Sequence, residues 1–380
     1  MTIKEQGGEE TEPTRLRLTP AALENAPEVN RLISSIDLGH FDPETVTAYS
    51  GRNENWAGIT TGQAAVFVKR LGGKPDDVAA RFSRLTQFDQ LAGRHTSAEL
   101  RAPEILGTDS ENHLIAFTWL ADARSGAELA ADDLFTDELC RRAGRAVAAL
   151  HRLPTDDIEL DDTAHPLPPL GSLRALPYGV FANSGFAELE FWRLLQSDEP
   201  LLNALGQLRN MEHAAPRSPI HGDLRLDQFL LLDEDMYLTD WEEFRLGDPA
   251  RDVGGFIGEW LYRAVQGIPK SVALDSEDFG RKAAHEEIVA HGVAELERLR
   301  PKMAEFWSAY RAESDSLDDR FATRAVGYAG WHMLDRMLAA AAGAARLSAA
   351  DRAGAGIGRN ILLSPAGFTG VLGLDGANCP

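Results

Sequence analysis

Residues 219–244 read PIHGDLRLDQFLLLDEDMYLTDWEEF, and this stretch decides the fold. Phe229–Leu232 is an apolar run, Asp233–Asp235 a turn, and Met236–Thr239 a second short run, the pattern of a β-hairpin. A hairpin brings its two outer ends together. One end carries His221, Gly222 and Asp223, with Gln228 five residues after the Asp; the other carries Asp240-Trp241-Glu242, 17 residues after Asp223. Two carboxylates and an amide oxygen therefore converge on one spot. Hard oxygen donors of this kind suit Mg²⁺ held together with phosphate oxygens. One carboxylate can instead orient an acceptor hydroxyl and take its proton.

Upstream, residues 45–70 read TVTAYSGRNENWAGITTGQAAVFVKR and predict three strands, Thr45–Ser50, Trp56–Thr60 and Ala64–Arg70, with Thr61-Gly62 as a tight turn. Lys69 ends the alternating run Val66-Phe67-Val68-Lys69. A Lys there can reach nucleotide phosphates beneath the turn Gly51-Arg52-Asn53-Glu54-Asn55, whose N–H groups can hold phosphate oxygens. Asp76–Ala92 has helical spacing at Val78, Phe82, Leu85, Phe88 and Leu91. Ile105–Gly107 and His113–Trp119 read as further strands.

Beyond Trp119 the chain turns mainly helical. Ala121–Gly126 is a polar connector, and helices are expected over 132–153, 185–208, 257–265, 282–307 and 320–345, with 155–173 as a loop. The fold class is α+β: a tail at 1–15, a small β-rich lobe at 16–120 that binds nucleotide, and a larger, mainly helical lobe at 121–380 that carries the catalytic, metal and acceptor residues.

Composition bounds the partners. The chain has 380 residues, with 38 Lys and Arg against 59 Asp and Glu, a net charge of −21. That argues against a nucleic-acid binder, which needs a basic face, and against an anionic membrane as partner. Two cysteines, Cys140 and Cys379, make neither a disulfide framework nor a Cys-based zinc site and fit a reducing cytoplasm. The polar start MTIKEQGGEETEPT lacks the apolar core of a secretory signal, and no run nears 18 apolar residues.

Taken together, these segments resemble the aminoglycoside phosphotransferase and choline kinase-like family, relatives of the protein kinases. The matching pieces are Gly51–Asn55, Lys69, Phe117–Leu120, Leu150-His151, His221–Asp223, Gln228, Asp240–Glu242, Gly247–Pro249 and Asp252, in order across residues 45 to 255. The resemblance implies a bilobal kinase-like fold and transfer of the ATP γ-phosphate to a hydroxyl, with ATP and Mg²⁺ as cofactors. It implies Asp223 as catalytic base, His221 as brace of the catalytic loop, Gln228 and Asp240 as metal ligands, and Lys69 with Gly51, Arg52, Asn53 and Asn55 on the nucleotide. It implies Asp248 as support for the larger lobe. Residues 221–254 are similar to kinase-like proteins of ribosomal peptide (lanthipeptide and thioamitide) biosynthesis, which implies a Ser/Thr peptide acceptor and a separate lyase-type partner protein. A cationic small molecule is the other acceptor class, and aminoglycoside resistance a third reading.

Two departures keep a pseudokinase scaffold open. Gln228 stands where the family has Asn, with a stem longer by about 1.5 Å. The 76–92 helix holds no Glu to pair with Lys69; its acids are Asp76, Asp77 and Asp89. Elsewhere, Arg225 and Asp227 fit an internal ion pair as well as a phosphate contact. His285 and His291 are six apart and read as solvated helix residues rather than a zinc pair. Gly354-Ala-Gly356-Ile-Gly358 follows no strand and reads as a flexible turn. Trp260, Trp307 and Trp331 read as core, and Asp122, Asp156, Asp157, Glu159, Asp161 and Asp162 as solvated loop charges.

Overall fold

The computed structural model describes residues 17–49, 51–95, 97–275 and 285–375. The expected N-terminal tail and Cys379 lie outside the described residues.

The strands are β1 (Arg17–Leu18), β2 (Ala48–Tyr49), β3 (Glu54–Ile59), β4 (Ala65–Arg70), β5 (Ile105–Asp109), β6 (Leu114–Thr118), β7 (Arg124–Ser125), β8 (Ser218–Ile220), β9 (Phe229–Leu232), β10 (Asp235–Leu238) and β11 (Arg245–Gly247). The helices are α1 (Pro27–Ser35), α2 (Pro75–Arg94), α3 (Gly126–Ala131), α4 (Asp137–His151), α5 (Leu170–Arg174), α6 (Tyr178–Asn183), α7 (Phe186–Gln196), α8 (Glu199–Ala214), α9 (Ala250–Asp275), α10 (His285–Glu313), α11 (Phe321–Ala342), α12 (Ala349–Leu363) and α13 (Pro365–Phe368). This is an α+β fold, with a small antiparallel sheet in the N-terminal region and a larger helical C-terminal part.

Two compact units interleave along the chain: Met1–Ser83, Ala102–Leu134 and Leu230–Thr239 form one, and Arg84–Arg101, Phe135–Phe229 and Asp240–Pro380 the other. In the first, the antiparallel sheet runs β3-β4-β6-β5. Its pleat sorts side chains by parity. Trp56, Val66, Val68, Leu114 and Ala116 face a core shared with Val29, Leu32 and Ile33 of α1. Lys69, one residue out of phase with Val68, lies on the opposite face with Phe67 and Phe117. The expected strand at 45–50 shrinks to Ala48–Tyr49, because the Thr45 hydroxyl accepts the Ile59 N–H (2.9 Å) in place of a strand carbonyl.

In the second unit α4 packs on α10, α10 on α9, α9 on α11 and α11 on α12. Buried aromatics fill the centre: Phe256 stacks on Phe306 at 3.9 Å, and Trp260, Trp307 and Trp331 are buried, as expected. Several expected boundaries move, for local reasons. The helix expected over 132–153 is two helices: a Ser125–Glu128 capping box starts α3, left-handed Asp133 follows its end, and the Thr136 hydroxyl caps α4. That over 185–208 breaks where the Asp198 carboxylate accepts the Leu201 N–H ahead of α8. The loop expected over 155–173 gives way to α5 at its end. The 354–358 segment is no turn but the middle of α12, capped by Ser348 and Asp351. Its glycines serve close packing: a Cβ on Gly358 would lie 2.9 Å from the Gly330 carbonyl oxygen, and one on Gly330 3.0 Å from that of Gly358.

Candidate active site

The loop at 221–228 lies between β8 and the hairpin. β8 pairs antiparallel with β11, Ile220 opposite Arg245, so the chain before His221 runs beside the chain after Glu243. Gly222 has φ +85°, and a Cβ there would lie 2.5 Å from the Glu243 carbonyl oxygen. Both the left-handed backbone and the close approach require glycine between His221 and Asp223.

Asp252, at the start of α9, clamps this loop. Its Oδ2 accepts the His221 N–H (2.7 Å) and its Oδ1 the Gly222 N–H (2.9 Å). His151 Nε2 lies 3.0 Å from the same Oδ2, and His151 Nδ1 lies 2.9 Å from the Tyr310 hydroxyl. The chain is satisfied when Tyr310 donates to Nδ1 and the Nε2–H donates to the carboxylate. Asp252 is fully buried. Burial alone would raise its carboxyl, but the hydrogen bond from His151, the electrostatic influence of the His151 and His221 rings and the His221 N–H together hold it below the usual aspartate range. The His221 ring packs on Trp241 (4.8 Å between centroids), and Trp241 stacks flat on Phe88 at 3.5 Å.

Asp223 keeps 41 % of its side chain open to solvent although protein atoms surround its carboxyl. That crowding raises its pKa, against the opposing charges of Arg225 and Arg336; the charge of Asp240 adds to the rise. Arg225 sits 3.8 Å from Asp223 and 3.2 Å from Asp227, so the internal ion pair among the expected readings is present. Asp240 is left-handed, φ 70° and ψ 54°, a conformation that costs a non-glycine residue about 1 kcal/mol or more. Gln228 is buried, and its side-chain oxygen accepts the Arg225 N–H (2.8 Å). The longer stem thus curls back to cap its own loop. Asp248 is buried, accepts the Ala250 N–H at the start of α9, and receives Arg324 through two nitrogens at 2.7 and 3.1 Å.

The other expected residues belong to the first unit. Lys69 is half-buried in β4, opposite Asn55 on β3 and Ile115 on β6. Gly51 and Arg52 are exposed. Asn53 and Asn55 hold the turn itself. Asn55 Oδ1 accepts the Tyr49 N–H (2.7 Å), and its Nδ2 donates to the Tyr49 and Asn53 carbonyls (2.9 and 3.3 Å). Asn53 Oδ1 accepts the Gly72 N–H at 3.1 Å. α2 contains no Glu; its Asp77 lies 3.1 Å from Arg81, and Asp89 is exposed.

Several contacts escaped sequence reasoning. The clamp by Asp252 joins a loop and a helix 30 residues apart, and Tyr310 and Arg324 come from still more distant helices with no local motif. Asp161 is no solvated charge: Arg84 reaches it at 2.6 Å, and the same Arg lies 3.3 Å from Glu243. The other acidic loop residues, Asp122, Asp156, Asp157, Glu159 and Asp162, are exposed as expected. His291 is half-buried on α10, and the side chain of His285 lies outside the described set.

A family model described as "Phosphotransferase enzyme family" matches residues 45–301. The chain belongs to the phosphotransferase enzyme family. It is accordingly an enzyme of the phosphotransferase class. Its fold is similar to that of the amicoumacin kinase hAmiN in complex with AMP-PNP, Ca²⁺ and Ami: TM-score 0.54, 13 % identity, 87 % of this chain and 92 % of that one covered. It is also similar to a candidate fructosamine-3-kinase from Thermobifida fusca: TM-score 0.52, 16 % identity, 90 % and 99 % covered. No curated protein sequence is significantly similar to the chain. Among the described residues, no helix is long and apolar enough to cross a membrane.

Proposed function

We propose that this phosphotransferase is an ATP-dependent kinase that moves the γ-phosphoryl group to a hydroxyl acceptor in the cytoplasm. The observation that carries the reading is the clamped loop: Asp252 fixes the backbone of His221 and Gly222, so Asp223 is presented at a set place. Asp223 orients the acceptor hydroxyl and takes its proton. His221 braces the loop on Trp241. Lys69 and the turn at Gly51, Arg52, Asn53 and Asn55 hold the nucleotide phosphates, the two asparagines by shaping the turn.

The donor chemistry fits Mg²⁺. Among the described residues, no three His, Cys, Asp or Glu side chains gather as a protein-only cage. Mg²⁺ of the shared kind needs one or two protein oxygens and completes its shell with phosphate and water. Asp240 and Gln228 would supply those oxygens. The ion, when bound, neutralises charge on the β- and γ-phosphates.

For the acceptor, the structure of hAmiN in complex with AMP-PNP, Ca²⁺ and Ami supports a small molecule. The resemblance across 221–254 supports Ser or Thr of a precursor peptide, with a lyase-type partner to eliminate the phosphate. The competing reading is a nucleotide-binding scaffold, which the Gln228 oxygen committed to Arg225 favours. The separating experiment incubates the protein with Mg-ATP and three acceptor sets: cationic amino alcohols, aminoglycosides and Ser/Thr peptides. Mass spectrometry then looks for one added phosphoryl group. A phosphorylated product in any set supports the kinase and names its class; tight ATP binding with no product in all three supports the scaffold.

The raised pKa of Asp223 sets the acid limb of the pH profile. The carboxylate must be ionised to accept a proton, and crowding pushes its titration above the usual aspartate value of about 3.9. Turnover is expected to fall on acidification at a pH above that value.

A further inference from the structure

We infer that Arg81 is a positioning residue for the phosphate-holding turn, the tether that ties the turn to helix α2. The inference rests on the proposed role of residues 51–55 in holding nucleotide phosphates.

Arg81 lies nearly two turns into α2, where the apolar spacing pointed to Phe82, yet it is the arginine that is fully buried while Phe82 is only half-buried. A guanidinium is taken out of water only when its donors are used. Two of its nitrogens donate hydrogen bonds, and the third lies beside a carboxylate as an ion pair. Nη1 donates to Asn53 Oδ1 at 3.3 Å, Nη2 donates to the Gly72 carbonyl, and Nε faces Asp77 Oδ2 at 3.1 Å. Asn53 Oδ1 also accepts the Gly72 N–H, so Arg81, Asn53 and Gly72 close a ring of hydrogen bonds. That ring joins the turn before β3, the end of β4 just past Lys69, and α2. On the other side of the turn, Asn55 ties Tyr49 to Asn53. The turn is thus closed on itself by Asn55 and anchored to the helix by Arg81.

The consequence is pre-organisation. Turn N–H groups hold phosphate oxygens well only if they already point the right way; a slack turn must be ordered at the moment of binding, and that cost is subtracted from affinity. The cost falls on ligands that carry phosphates and spares the nucleoside. A planar fork with donors in three directions is also something Lys cannot supply, so Arg81→Lys is not conservative here.

The test measures binding of Mg-ATP and of adenosine by calorimetry to the full chain and to Arg81→Lys, Asn53→Ala and the double variant, each with a thermal melt. Mg-ATP affinity is expected to fall about 10- to 100-fold in Arg81→Lys, with adenosine affinity within about twofold of wild type. Asn53→Ala should show the same selectivity. The double variant should lose no more than the larger single, because both cut one tether. Equal losses for ATP and adenosine, or losses that add in the double variant, overturn the inference. Should Arg81→Lys not fold, Asn53→Ala decides alone: a selective loss supports the tether and an unchanged ATP-to-adenosine ratio sinks it. A wild-type chain that binds no Mg-ATP would instead count against the kinase reading itself.

Discussion

Asp252→Ala is expected to destabilise the protein by about 3–5 kcal/mol and to abolish turnover with it. The carboxylate is buried and accepts the backbone N–H groups of His221 and Gly222 while facing His151. Alanine strands all three donors in a buried site, and the loop that presents Asp223 loses the clamp on the backbone of His221 and Gly222. Urea unfolding followed by tryptophan fluorescence reads the first effect and product formation the second. Asp252→Asn keeps one acceptor oxygen and should fall between the two. The loss also has a pH signature. The folded pKa of Asp252 lies below the usual value, so its contribution is complete above about pH 3.9 and disappears as pH falls through the folded value. The stability gap between wild type and Asp252→Asn should therefore stay constant across neutral pH and close only in strong acid.

Asp223→Asn is the second large effect, and it separates chemistry from folding. Turnover is expected to fall by on the order of 10²–10⁴, the range supplied by a positioned base. Mg-ATP affinity should stay within a few-fold, since Asp223 is assigned to the acceptor. The variant should melt no lower than wild type, because crowding already disfavours the ionised carboxyl and Asn removes that penalty. A variant that loses activity only in proportion to lost folded protein would place Asp223 in the structure rather than the chemistry.

Local pattern explains which parts of this molecule were legible in its sequence. Strands β3 and β4, the β9–β10 hairpin and helix α2 fall within a few residues of their expected limits, because period-2 and period-3.6 spacing are local. The family was legible because its motif residues sit in fixed order around those elements. Helix breaks were harder. The starts of α4 and α8 depend on caps by Thr136 and Asp198, single polar residues inside otherwise continuous apolar spacing. The 354–358 glycines mimic a loop in one dimension, and only the partner helix α11 shows why small residues stand there.

Within the candidate site, the residue types were legible and their partners were not. Asp223, Gln228 and Asp240 could be picked out by spacing. That Gln228 would spend one lone pair on Arg225, or that Asn53 and Asn55 would bond the turn rather than face outward, depends on side-chain direction. Arg81 is the clearest case. Its charge argues for solvent, and only the Asn53–Gly72 acceptors explain its burial.

The account stands most directly on transfer of the γ-phosphoryl group. Protein incubated with γ-labelled Mg-ATP and the pooled hydroxyl acceptors, wild type beside Asp223→Asn and Asp240→Asn, gives the deciding measurement. The account predicts labelled acceptor from wild type and none above background from either variant at equal folded concentration. Label transfer that survives both substitutions would contradict the assignment of the site, and wild-type protein that binds Mg-ATP yet labels nothing would contradict the kinase.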